Sequence, residues 1–222
     1  MPLPPAEPTG ARGTRAGGPV EGGTTSEVGT RRPALAGGRA DPADVGVVAA
    51  AARAASPVAG TTIVVSLDGR SGSGKTVLGS AVAEALDCPV VHLDDIFPGW
   101  DGLAAGVQLV TEHVLVPLSR GEQPAYPTWD WRRSRPGPSV RVEPSTHLVL
   151  EGCGALVPPA LGYAAVRVWL DAPVALRRER ALARDGELYA PHWARWAAQE
   201  DAVYATANPR DHAHVVLSTG DA

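Results

Sequence analysis

The sequence predicts an α/β domain of three layers, α/β/α, with a central parallel sheet. Three observations carry this. Short apolar runs rich in β-branched residues alternate with helical segments, a pattern that favours a parallel sheet covered on both faces. A glycine-rich loop, residues 69–76, stands between the first such run and a helix. Two of the runs are followed by carboxylates, Asp94-Asp95 and Glu151. In open parallel sheets, ligands gather beyond the carboxyl ends of the strands.

Each element follows in order. Residues 1–40 are rich in Pro, Gly, Ala, Thr and Arg with almost no large apolar residue. Such a segment buries too little surface to offset its ordering entropy, so a disordered tail is expected. Residues 41–55 read as a helix with Asp41 as N-cap and Pro42 at its first position. Residues 41–57 are thus an N-terminal helix and linker, and residues 58–222 the main domain. In that domain residues 61–67 read as a buried strand, 75–86 as a helix and 89–93 as a second strand. Residues 107–118 read as a helix ended by Gly121. Residues 147–150 and 166–170 are strands, 173–184 and 191–205 helices with proline near each start, and 213–217 a last strand.

Composition narrows the function. The 222 residues carry a net charge of -4, without the basic excess of a nucleic-acid binder. The longest apolar stretch, residues 45–55, is alanine-rich, contains Arg53 and is too short to span a bilayer. Cys88 and Cys153 lie far apart and form no CxxC pair, which argues against a disulfide framework and fits a cytoplasmic protein. The histidines show no metal-ligand spacing. The chain has nineteen arginines but one lysine, Lys75, and that lysine lies in the glycine loop. A slender ammonium fits between phosphate oxygens where a broad guanidinium does not.

The loop reads Gly69-Arg-Ser-Gly-Ser-Gly-Lys-Thr76 and fits GxxxxGK[ST], with a strand leading in and a helix leading out. Its glycines let backbone N–H groups converge on phosphate oxygens, and the helix N-terminus adds partial positive charge. The expected nucleotide-binding set is Gly69, Arg70, Ser71, Gly72, Ser73, Gly74, Lys75, Thr76 and Val77. Lys75 is expected to bridge the β- and γ-phosphates of ATP, and Thr76 to ligate Mg²⁺. Of the adjacent Asp94 and Asp95, one is placed to accept a proton from a hydroxyl nucleophile and the other to help hold the metal. Glu151, ending an apolar strand, resembles a Walker B acid near Mg²⁺.

Arg177, Arg180 and Arg184 are spaced i, i+3, i+7 and share one helix face, where guanidiniums can clamp a transferring phosphoryl group. A solvated face paired with Glu179 is the plainer alternative. Trp100, Tyr126, Trp129 and Trp131 fall in Gly/Pro-containing segments that read as loops. They are suited either to stacking on a flat ligand or to forming a local hydrophobic plug. Trp193 and Trp196, three apart on a helix, read as core.

The ordered series matters more than any single motif. The phosphate loop is followed by His92-Leu-Asp-Asp-Ile-Phe97, Pro124-Ala-Tyr-Pro-Thr-Trp-Asp-Trp-Arg132, Leu148-Val-Leu-Glu-Gly152 and an Arg-rich helix ending Ala-Arg-Asp185. Over residues 61–217 this resembles the uridine kinase group of small P-loop kinases, with its phosphoribulokinase and nicotinamide riboside kinase relatives. The resemblance implies the P-loop NTPase fold and an ATP- and Mg²⁺-dependent transfer of the γ-phosphoryl to a hydroxyl of a nucleoside-like acceptor. It matches Asp95 to the catalytic base, with Asp94 beside it, and Lys75, Arg177, Arg180 and Arg184 to the groups that stabilise transfer. One of the family's paired lid arginines falls on Ala181. Asp95, Trp100, Tyr126, Trp129, Asp130 and Arg132 are the implied acceptor-binding residues. Trp129 stands where that family has tyrosine, and its downstream histidine is missing. Residues 208–214 resemble the adenine-contacting loop. Two alternatives stay open: a kinase for a different acceptor, such as a vitamin precursor or sugar acid, and an ATP-binding regulator without phosphotransfer.

Overall fold

The structure is a computed structural model and describes residues 38–220. All but the last three residues of the expected disordered tail, residues 1–40, lie outside the described residues. The described chain runs α1 Pro42–Ala54, β1 Ile63–Asp68, α2 Lys75–Leu86, β2 Val90–His92, α3 Leu103–Val110, α4 Val116–Ser119, β3 Ala125–Asp130, β4 Arg135–Arg141, β5 His147–Glu151, β6 Val166–Asp171, α5 Val174–Asp185, α6 Trp193–Ala207 and β7 Val215–Ser218. Five strands form one sheet in the order β2-β5-β1-β6-β7, and every pairing in it is parallel.

Strand alternation sorts the core into two layers. Val65 and Leu67 of β1, Val149 of β5 and Val168 of β6 point to one face, where they meet Leu78 and Val82 of α2 and Val48 and Ala52 of α1. Val64, Leu148, Leu150 and Trp169 point to the other face, against Leu103 and Val107 of α3 and Trp196 and Tyr204 of α6. Each fully buried aliphatic side chain contributes about 1.5–3 kcal/mol, so both layers are needed. Asp41 caps α1 by accepting the Ala43 N–H at 2.8 Å, with Pro42 following it. The helix is part of the α2-side core, because Val48 and Ala52 are fully buried there.

Two elements differ from the sequence expectation. The helix expected over 107–118 begins at Leu103 and passes through a π-helical turn, Thr111–Leu115, before α4. Pro117 lacks the N–H that a regular α ladder would use there. The segment with Tyr126 and Trp129, expected as loop, is a hairpin of β3 and β4 with an irregularity between Pro127 and Trp129. Pro127, Pro136 and Pro138 argue against strands in a sheet interior. A two-stranded ribbon has only edges, so its prolines displace no ladder partner on a third strand.

Candidate active site

The phosphate loop joins β1 to α2 at the carboxyl end of the central strand. Gly69, Gly72 and Gly74 take φ values of 146°, 81° and 99°, a region that L side chains rarely enter. At Gly72 a side chain is excluded twice over, since a Cβ there would lie 2.1 Å from the Arg177 carbonyl oxygen. The last residue of β1, Asp68, is fully buried. Its Oδ1 accepts Gly69 N–H at 2.6 Å, Gly154 N–H at 3.0 Å and the Tyr204 hydroxyl at 2.7 Å, and its Oδ2 accepts Leu156 N–H at 2.8 Å. One carboxyl group thus ties the start of the phosphate loop to the turn after β5 and to α6.

Lys75, the first residue of α2, is buried. Its Nζ donates to the Arg70 carbonyl at 3.1 Å and lies 3.6 Å from Cys153 Sγ. Burial disfavours its charge, but Cys153 and the carboxylates of Glu151, Glu200 and Asp68 more than offset this, and its pKa lies above the ordinary value. Thr76 and Val77 follow in the first turn of α2, and Thr76 is half-buried.

Glu151 ends β5 and is 2 % exposed. It stands opposite His92 in the β2–β5 register, with its Oε1 at 2.5 Å from His92 Nδ1. Burial works against a charged His92 ring. The Glu151 hydrogen bond, with Asp95 and Asp94 nearby, outweighs it and raises the imidazole pKa. Asp94 and Asp95 lie in the short 3-10 turn, Leu93–Asp95, just after β2. Tyr126 of β3 lies near Asp95, and burial together with the Asp95 carboxylate pushes its phenol up to about 12. Trp131, in the hairpin turn, donates its indole N–H to the Asp94 carbonyl at 2.8 Å.

The three arginines of α5 occupy three environments. Arg177 is 6 % exposed and donates to the Ala172 carbonyl and the Ser71 carbonyl, each at 3.2 Å. Arg180 is exposed and donates to Thr219 Oγ1 at 2.9 Å, and Thr219 in turn donates to the Ser73 carbonyl at 2.6 Å. Arg184 reaches past the loop to the end of β2, 3.7 Å from Asp94 and 2.6 Å from Asp185. Burial opposes its charge, but these two carboxylates overcome it and raise its pKa. The shared face of α5 therefore runs from the phosphate loop to the Asp94 turn.

The remaining aromatic and hairpin residues have local partners. Trp100 stacks on Tyr189 at 5.3 Å and 9°, stacks on His192 at 4.4 Å and 13°, and meets Trp131 at 4.6 Å. Trp129 packs beside the Gly99 turn, where an added Cβ would meet its ring at 3.5 Å. Asp130 closes the hairpin turn by accepting Arg132 N–H and Arg133 N–H at 3.1 Å, and its Oδ2 pairs with Arg133 at 3.1 Å. The Arg132 side chain is exposed. Trp196 is buried against Phe97, and Trp193 is half-buried.

Asp68, Cys153, Tyr189, Glu200 and Thr219 also build the site, and sequence reasoning did not single them out. Asp68 alone carried a signal, as the carboxylate between a buried strand and the loop. Cys153 directly follows the Leu148–Gly152 motif, and Tyr189, Glu200 and Thr219 approach from the last part of the chain, through contacts that no local pattern announces.

A parallel sheet flanked by helices, with the glycine loop at the carboxyl end of its middle strand, decides the fold. This chain has the P-loop NTPase fold. A possible uridine kinase from Bacillus stearothermophilus superposes with a TM-score of 0.58 at 22% identity, over 79% of this chain and 97% of that one. A putative fructose transport system kinase from Silicibacter sp. TM1040 aligns with a TM-score of 0.41 at 20% identity, over 72% of this chain and 90% of that one. A shikimate kinase from Bacteroides thetaiotaomicron gives 0.35 at 18% identity, over 70% and 85%. No protein-family model and no curated protein matches the sequence. Among the described residues, no helix is long and apolar enough to cross a membrane.

Proposed function

We propose that this P-loop protein is an ATP-dependent kinase that moves the γ-phosphoryl group to a hydroxyl of a small, nucleoside-like acceptor. One observation supports it above the others. The α5 face bridges the phosphate loop, through Arg177, and the carboxylate turn after β2, through Arg184 and Asp94. Nucleotide binding alone needs no such bridge, whereas phosphoryl transfer needs donor and acceptor sides held together.

The residues present suit ATP and Mg²⁺. Three glycines at positive φ and a buried ammonium form a cradle for phosphates. Thr76, Asp94 and Glu151 supply the hard oxygen donors that Mg²⁺ prefers. Bound Mg²⁺ would neutralise charge on the phosphate oxygens. Residues 69–77 hold the triphosphate, and Lys75 balances its β- and γ-oxygens. Asp95 accepts the proton of the attacking hydroxyl. Arg177 and Arg180 brace the loop from behind while Arg184 spans the gap where charge develops. Tyr126, Trp100, Trp129, Asp130 and Arg132 form or border the acceptor pocket, with Asp130 acting through the hairpin turn that it closes.

The test is ADP release with Mg²⁺ and ATP against a panel of nucleosides, vitamin precursors and sugar acids, with the phosphorylated product identified. Matched ADP and product for a nucleoside support the proposal in full. A match for another member of the panel keeps the kinase and replaces its acceptor. ATP binding without stimulated turnover on any member favours a regulator.

A further inference from the structure

Ser71 is held at every polar atom, and the groups that hold it come from the far end of the chain. Its N–H donates to Glu200 Oε1 at 2.7 Å, its hydroxyl accepts from the Tyr189 hydroxyl at 3.0 Å, and its carbonyl accepts from Arg177 at 3.2 Å. Glu200 lies in the middle of α6 and is fully buried. The same Oε1 accepts the Cys153 thiol at 3.2 Å. Among the described residues its Oε2 makes no hydrogen bond, and it stands 3.8 Å from Arg70 Nη1. A buried carboxylate is costly to desolvate, and a helix interior is an unusual place to keep one unless its reach is used.

We propose that Glu200 is a positioning residue for nucleotide binding: by holding the Ser71 N–H from α6, it sets the conformation of the phosphate loop. This rests on the reading of residues 69–76 as the nucleotide cradle. Ser71 stands between Gly69 and Gly72, at φ values of 146° and 81°. Neither glycine has a side chain to fix the loop, so its shape depends on such outside contacts. The carboxylate's charge has a second effect, because it lies close enough to favour the charged form of Lys75. Position and charge can be separated by substitution. Glu200→Gln keeps the reach and an acceptor oxygen while removing the charge. It keeps both hydrogen bonds of Oε1, and the new amide nitrogen replaces Oε2, giving up only the 3.8 Å ion pair with Arg70. Glu200→Asp keeps the charge but is one methylene short of Ser71.

The measurement is the Kd for Mg²⁺-ATP of wild type and both variants, by calorimetry on folded protein. If reach is what matters, Glu200→Gln stays within about threefold of wild type, and Glu200→Asp binds about tenfold more weakly, as for loss of one buried hydrogen bond. Glu200→Asp binding as well as or better than Glu200→Gln overturns the inference while leaving the nucleotide reading intact. Wild type that does not bind ATP contradicts that reading, and the inference with it. Wild type also gives a test that needs no variant: the Ser71 amide should be strongly protected from hydrogen exchange. Exchange at the rate of an open loop overturns the proposal.

Discussion

At the scale of single residues, buried carboxyl groups organise the site more than its cations do. Asp68 accepts four donors from four different residues, so each of its oxygens is committed. Burial raises its pKa, against the opposing pull of Leu156, Tyr204, Gly69 and Lys75. In Asp68→Asn the amide must aim a donor at a donor, whichever way it turns. About 1–3 kcal/mol of stability should be lost, the cost of one unsatisfied buried group. A denaturant titration measures it, and an unchanged midpoint would deny Asp68 this role. Lys75 follows the same logic from the other side, as a buried ammonium surrounded by acids. Lys75→Met should lower turnover about 10²–10³-fold and also lower the melting temperature, because it leaves the surrounding buried carboxylates without their cation. Steady-state kinetics and a melting curve together would check both.

At the scale of elements, the β3–β4 hairpin shows how local chemistry sets a turn. Partial desolvation of Asp130 raises its pKa, but the Arg133 N–H and guanidinium and the Arg132 N–H lower it further, for a net downward shift from 3.8. A carboxyl group with a depressed folded pKa adds stability that is present above the unfolded value. That contribution is lost as pH falls through the folded value. Protection of the Arg133 amide should therefore be higher in wild type than in Asp130→Asn at neutral pH, and the two should converge in acid. Much of the element order was legible in sequence. The α2 helix over residues 75–86 and the β-branched runs of the sheet follow from periodicity and from glycine punctuation. The hairpin was not legible, because prolines that exclude a central strand are tolerated in a ribbon made of edges. Arg177, Arg180 and Arg184 were legible as one face. Spacing could not show that Arg177 turns to the Ser71 carbonyl and Arg184 to Asp94, because those partners are fixed only by tertiary packing.

At the scale of the whole molecule, two core layers press on one sheet and fix the loops at its carboxyl edge. The α1 helix belongs to one of them, since Val48 is fully buried with Leu78, Val82 and Val168 in the same layer. Val48→Asp places an unpaired charge there and should cost more than about 3 kcal/mol, read as a lowered melting temperature. No change would mean that α1 is dispensable to the fold. The proposed phosphoryl transfer depends on that carboxyl edge, where the phosphate loop, the turn after β2 and the α5 face meet. The most direct test of that convergence is acceptor-stimulated ADP release by Asp95→Asn beside its Kd for ATP. The expected result is ATP binding close to wild type with turnover lowered about 10²–10⁴-fold, as for loss of a general base. Turnover equal to wild type would contradict the assignment of phosphoryl transfer to this carboxylate edge.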